Sequence, residues 1–226
     1  MSVPALGRVL AVSAHLDDAV LSAGALLSAH RGSFVLTVFA GIPAHYEGLS
    51  EWDARSGFAG GDDVVALRRE EDRRAAERVG ATVEWLDFLD NQYSERQSGA
   101  AEIAAAIRVA RGRLDADTLA LPLGLAHADH VRTHEACALL LEHEFDFVTH
   151  WVAWADIPYR ARHPDLMNDR LDDLRAKGFV LSPFEVEAGE PKRAALAEYP
   201  SQLRALGPDN MADAERPEQL YTITRQ

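Results

Sequence analysis

Short, densely apolar runs alternate along the chain with longer segments in which apolar residues recur every three or four positions. The runs Val9–Ser13, Phe34–Phe39, Thr82–Leu86, Thr118–Pro122 and Phe147–Trp154 read as buried strands. Ala19–His30, Val64–Val79, Ala100–Arg111, Arg132–His143, Asp165–Lys177 and Pro191–Leu206 read as helices. Such alternation predicts parallel strands joined by crossover helices: an α/β, single Rossmann-like three-layer domain with a mostly parallel sheet. Two late runs, Phe179–Val186 and Leu220–Thr224, are expected to pair antiparallel at an edge. The alternation loosens near Asp156-Ile157-Pro158, so the part from about residue 156 is a candidate small addition on the substrate side of one domain spanning 1–226.

Charge narrows the class of partner. The formal net charge of −13 argues against nucleic acid, whose phosphates need clustered Lys and Arg. Apolar content of 47% and charged content of 26% are those of a globular chain, and no run reaches transmembrane length. Cys137 is the single cysteine, so an intrachain disulfide is excluded. With no secretory leader evident at the N-terminus, the expected location is cytoplasmic. Oligomeric state is not readable from these features.

Chemistry concentrates at two strand ends. Ser13-Ala14-His15-Leu16-Asp17-Asp18 follows the first strand and opens a helix. Ligands of open α/β sheets bind at such junctions, and imidazole with carboxylate suits zinc or a similar divalent ion. The plainer reading is that Asp17 or Asp18 caps the helix and His15 merely ends the strand. The fourth strand ends likewise, in His127-Ala128-Asp129-His130 before another helix. If strands one and four are neighbours across the switch point, the two clusters face each other over one crevice. Otherwise His127 and His130 are surface loop residues and Asp129 is a cap.

His15-Leu16-Asp17-Asp18 followed by His127-Ala128-Asp129-His130 resembles the LmbE-like, or PIG-L, zinc-dependent N-deacetylases. Arg68 and Glu71, Trp85-Leu86-Asp87, Asp90-Asn91-Gln92-Tyr93, Asp156-Ile157-Pro158-Tyr159, Lys192 and Tyr199-Pro200-Ser201-Gln202 resemble further family elements. The resemblance implies His15, Asp18 and His130 as ligands of Zn2+, or of another divalent metal such as Fe2+, with a position left for water. It implies Asp17 as general base, His127 as a donor to the tetrahedral intermediate, Asp129 as a residue orienting an imidazole, and Arg68 as a binder of substrate oxygens. The implied activity removes an N-acyl, chiefly N-acetyl, group from a small-molecule amino sugar or glycoconjugate. Leu16 stands where the family has Pro, and Ala19 where it commonly has Glu; the second change removes a carboxylate near the metal.

Other residues carry two readings. His134 lies four positions after His130, a spacing that can bind zinc, but packing is the expected role. The long connection Ile42–Gly61 holds His45, Tyr46, Trp52 and Asp53 and is either a mobile surface loop or a wall of the crevice, with Trp52 stacking on a sugar. Tyr93 and Tyr159 are expected at the same opening. A dinucleotide oxidoreductase would need Gly-x-Gly-x-x-Gly where Asp17 and Asp18 stand. A phosphoesterase with two metals needs more carboxylate ligands. The main competitor is a non-catalytic carbohydrate-binding or regulatory protein with a vestigial metal site, which would have no use for Asp17.

Overall fold

The computed structural model of the chain describes residues 3–94 and 97–225. Its centre is a seven-stranded sheet: β1 (Val9–Ser13), β2 (Phe34–Thr37), β3 (Thr82–Trp85), β4 (Thr118–Pro122), β5 (His150–Trp154), β6 (Phe179–Val186) and β7 (Glu218–Arg225). The order across the sheet is β3-β2-β1-β4-β5-β7-β6. The first five strands are parallel, and β7 pairs antiparallel with both β5 and β6. The connections are α1 (Asp18–Ala29), α2 (Glu51–Ser56), α3 (Val64–Arg78), α4 (Ala100–Arg113), α5 (Ala128–Glu144), α6 (Tyr159–Arg162), α7 (Pro164–Ala176), α8 (Glu190–Leu196), α9 (Pro200–Leu206) and α10 (Pro208–Ala214).

Both faces of the sheet are buried at β1, β2, β4 and β5, which explains why these strands read as continuous apolar runs. Side chains alternate between two cores. Leu10, Val12, Leu119, Leu121, Trp151 and Ala153 face one, while Val9, Ala11, Ala120, Val152 and Trp154 face the other. The first core takes residues of α4, α5 and α7, and the second takes residues of α1, α3 and α8. The three layers follow from that period of two.

Local chemistry moves several boundaries. Pro191–Leu206 is two helices, because Pro200 lacks an N–H and disfavours helical geometry at Tyr199. The strand expected from Phe147 starts at His150, after a short 3₁₀ turn at Phe145–Phe147. The connection after β2 contains α2, capped by Ser50, whose hydroxyl accepts the Asp53 N–H at 3.0 Å.

A fully buried ion pair joins the C-terminal strand to α8, and its carboxylate also reaches α1. Lys192 Nζ lies 2.7 Å from Glu218 Oε1, with neither side chain exposed. α1 leaves helical geometry at Ala23, and Glu218 accepts the N–H groups of Ala25 at 2.7 Å and Leu26 at 2.9 Å just beyond. The carboxylate thus caps the second half of a broken helix. Glu218→Ala should reduce unfolding free energy by about 3–5 kcal/mol, since Lys192 is left buried and unpaired. Lys192→Met combined with Glu218→Gln should cost clearly less in urea unfolding.

Candidate metal centre and active site

β1 and β4 are neighbours, paired through Leu10 with Leu119, so their C-terminal loops open on the same crevice. After β1, the Ser13 hydroxyl donates to the His15 carbonyl at 2.7 Å and accepts from the Ala19 N–H at 3.0 Å. That serine organises the turn, and the Asp17 side chain makes no capping bond. Asp18 Oδ2 accepts the His15 N–H at 2.7 Å. After β4, the chain passes Gly124 at φ +74°, where a Cβ would come within 2.4 Å of the His134 side chain. Ala126 takes a left-handed φ of 59° before α5. The cap of α5 is His127 and not Asp129: its Nδ1 accepts the Asp129 N–H at 3.2 Å.

The two loops converge. Asp18 Oδ2 lies 3.3 Å from His15 Nδ1 and 3.2 Å from His130 Nε2. Two ligands each about 2.0–2.1 Å from a tetrahedral zinc are separated by roughly that distance. The outer nitrogens of both rings rest on carboxylates: His15 Nε2 is 3.1 Å from Asp129 Oδ2, and His130 Nδ1 is 2.7 Å from Asp156 Oδ1. That arrangement fixes ring orientation in metal sites. Among the described residues, two groups of ligand atoms gather within 4.8 Å, His15/His127/His130 and His15/Asp90/Asp129. In the first, His127 Nδ1 is engaged by the Asp129 N–H at 3.2 Å. The second uses Asp129, whose oxygens already serve His15, the Asn91 N–H and Arg132. Imidazole and carboxylate donors of the kind that suit a divalent ion thus converge here, with His15 and His130 shared by the arrangement about Asp18 and by the first group.

A cleft of about 280 Å³ opens over these groups, and Trp52, Arg68, Tyr93 and Tyr159 all line it. Tyr159 meets the His130 ring edge-on, with centroids 5.1 Å apart. Arg68 is committed in part, with Nη2 lying 3.0 Å from both Asp53 Oδ1 and Ser56 Oγ. Its Nε is buried with no hydrogen-bond partner among the described residues. His134 takes no part: it is buried and its Nδ1 lies 2.9 Å from the Pro122 carbonyl. Burial pushes it down to about 3, as expected of packing.

Residues 10–141, more than half of the 226, match the family described as PIG-L: GlcNAc-PI de-N-acetylase. The chain belongs to that family. No curated protein matches it. Among solved structures, it is similar to the A40926 pseudoaglycone deacetylase, at 28% identity and TM-score 0.77 over 96% of this chain and 97% of that one. It shares its fold with the zinc-inhibited form of teicoplanin deacetylase, at 24% identity and TM-score 0.76 over 97% and 98% of the two chains. It also shares it with N,N'-diacetylchitobiose deacetylase from Pyrococcus horikoshii, at 16% identity and TM-score 0.56 over 98% and 85%.

Charge in this PIG-L site is tightly interlocked. Burial and the charge of Asp18 push Asp17 up to about 8. Burial also acts against ionisation of Asp18, but the charge of His130 and bonds from both imidazoles hold it well below the usual carboxylate range. Burial opposes protonation of His130, yet Asp18 and Asp156 raise it to about 9. His15 behaves alike, lifted by Asp129, Asp18 and Asp90 against the same burial. His127 is lowered, by burial and then by its two neighbouring imidazoles.

Asp156 is the site residue that sequence reasoning left unassigned. Its signal was present, a carboxylate just after the fifth apolar run, but no spacing ties it to a histidine 26 positions earlier. Its other oxygen accepts the Gly124 N–H at 2.9 Å, so it braces ring and loop together. Asp156→Ala should weaken binding of an added divalent ion about 10–100-fold by calorimetric titration.

Proposed function

We propose that the protein is a metal-dependent hydrolase that removes an N-acyl group, first of all N-acetyl, from an amino sugar or amino-sugar conjugate. The observation that carries this is the Asp18 carboxylate set between two imidazoles, with an adjacent carboxylate, Asp17, spent on no helix cap. Membership of the PIG-L family, and the deacetylase activity in the names of the similar structures, support it.

In this reading His15, Asp18 and His130 hold the ion, which when bound supplies Lewis acidity and lowers the pKa of water. Asp17 takes a proton from the attacking water and returns it to the amine nitrogen as the C–N bond breaks. His127, with its proton on Nε2, donates to the acyl oxygen as that oxygen gains charge. Asp129 and Asp156 keep the two ligand rings from rotating. Arg68 turns its guanidinium to a substrate oxygen from the cleft wall, while Trp52, Tyr93 and Tyr159 supply ring faces and hydroxyls to the sugar. The part of the chain from about residue 156 closes the substrate side through Tyr159, Gln202 and Leu206. A relative of this fold exists in a zinc-inhibited form, so Zn2+ and Fe2+ are both to be assayed. No helix among the described residues is long and apolar enough to cross a membrane. The single buried cysteine is compatible with a reducing compartment, and we place the reaction in the cytoplasm.

Asp17→Asn keeps size but cannot accept the proton, so release of acetate from N-acetylated amino sugars should fall by roughly two to four orders of magnitude. Metal content by elemental analysis should stay near that of the parent in this variant and drop in Asp18→Asn and His130→Ala. Full hydrolysis by Asp17→Asn would remove the base from Asp17. Trp52→Ala should raise KM with bound metal unchanged, and an unaltered KM would return this segment to a purely structural role.

A further inference from the structure

Within the connection from β2 to α3, residues 42–61 reach the cleft at Trp52, yet little of this stretch is apolar enough to hold it there by packing. Its centre, α2, is secured by polar contacts to α9 and to the turn after β3. Arg55 donates to the Ala205 carbonyl at 3.2 Å, and Arg204 donates to the Ser56 carbonyl at 3.1 Å. The Ser50 hydroxyl donates to Gln92 Oε1 at 2.7 Å. Between them sits Asp53, with no exposed surface.

Asp53 is itself absent from the cleft lining, but each of its partners is part of it. Tyr93 Oη donates to Asp53 Oδ2 at 2.9 Å, and Arg68 Nη2 approaches Oδ1 at 3.0 Å. Tyr93 comes from the loop after β3 and Arg68 from α3, so one carboxylate joins three segments of the wall. The preceding residue, Trp52, faces the cleft from α2. A buried acid has to be paired, and here both partners are residues a substrate would meet. Phe58, from the same connection, lies under the Arg68 guanidinium at 5.2 Å and limits its alternatives.

We infer that Asp53 is a positioning residue for substrate binding, a buried carboxylate that sets Arg68 and Tyr93 in the cleft wall and pins α2 with Trp52 beside them. The inference rests on the deacylase reading for its kinetic consequence. Its mechanical part, the pinning of α2, stands without it. Asp53 touches neither the candidate metal ligands nor Asp17, so its loss acts first on where the substrate lies, through Arg68 and Tyr93.

The test uses Asp53→Asn and Tyr93→Phe in the full chain. Asp53→Asn should lower kcat/KM about 10–100-fold, the scale of a misplaced substrate, with most of the change in KM. Metal content should not change. Tyr93→Phe should shift KM the same way by less, and the double variant should be no worse than Asp53→Asn, because both changes break one contact. Limited trypsin digestion should cut after Arg55, on α2, faster in Asp53→Asn than in the parent. A lowered melting temperature with unchanged KM would mean a merely structural residue and would overturn the inference. Should Asp53→Asn fail to fold, an unchanged KM in Tyr93→Phe overturns it instead. A parent protein that releases no acetate with either metal sinks the deacylase reading and the kinetic claim with it. The trypsin comparison then decides the pinning alone, and equal cleavage rates would overturn that.

Discussion

The parallel pairing of β1 with β4 is the constraint on which the site depends. It places two strand ends, distant in sequence, about one inter-strand spacing apart and pointing the same way. Each strand hands its chain to a helix, so each loop leaves the sheet at a helix N-terminus. His15 and Asp18 arrive from one side and His127, Asp129 and His130 from the other. Were β4 displaced by one strand, the Asp18 carboxylate could not lie within about 3.3 Å of both imidazoles.

Such crowding of ionisable groups is costly unless each has a partner. The structure answers with a chain of alternating carboxylates and imidazoles: Asp129, His15, Asp18, His130 and Asp156. Each ring sits between two acids, which is why both are drawn toward protonation although burial opposes it. A divalent cation satisfies the same surplus of negative charge, so the electrostatics that would hold an ion also keep the site folded around its position. Asp17 lies beside this chain without belonging to it, and burial next to Asp18 raises its proton affinity.

The same device, a buried acid holding a distant segment, recurs at the cleft wall. Glu71 on α3 accepts the Ser201 N–H at 3.1 Å, and the next residue, Asp72, accepts Tyr199 Oη and Trp85 Nε1, each at 2.9 Å. These two acids dock the start of α9, which brings Gln202 and Leu206 to the cleft. Asp53 does for α2 what Glu71 and Asp72 do for α9. The walls are thus fastened to α3 by directional polar contacts, which fix geometry more narrowly than apolar packing in a shallow cleft would.

The parallel strands, the crossover helices and the two metal-suited motifs were readable along the chain because each is a local pattern: a burial period, a helix period, a cluster within four residues. Val9–Ser13, Thr118–Pro122 and Phe179–Val186 begin and end where the apolar pattern does. The break of Pro191–Leu206 at Pro200 was written in the sequence too, though periodicity alone overran it. Other features depended on tertiary contact. That His127 and not Asp129 caps α5 depends on a side-chain rotamer. That Asp156 holds His130, and that Asp53 holds Arg68 and Tyr93, depends on groups 26, 15 and 40 residues apart meeting in the fold. A residue's type states which partners it can accept. Only the packed chain decides which of them comes within 3 Å, because hydrogen bonds and ion pairs are short-ranged and directional while the sequence separations they bridge are arbitrary.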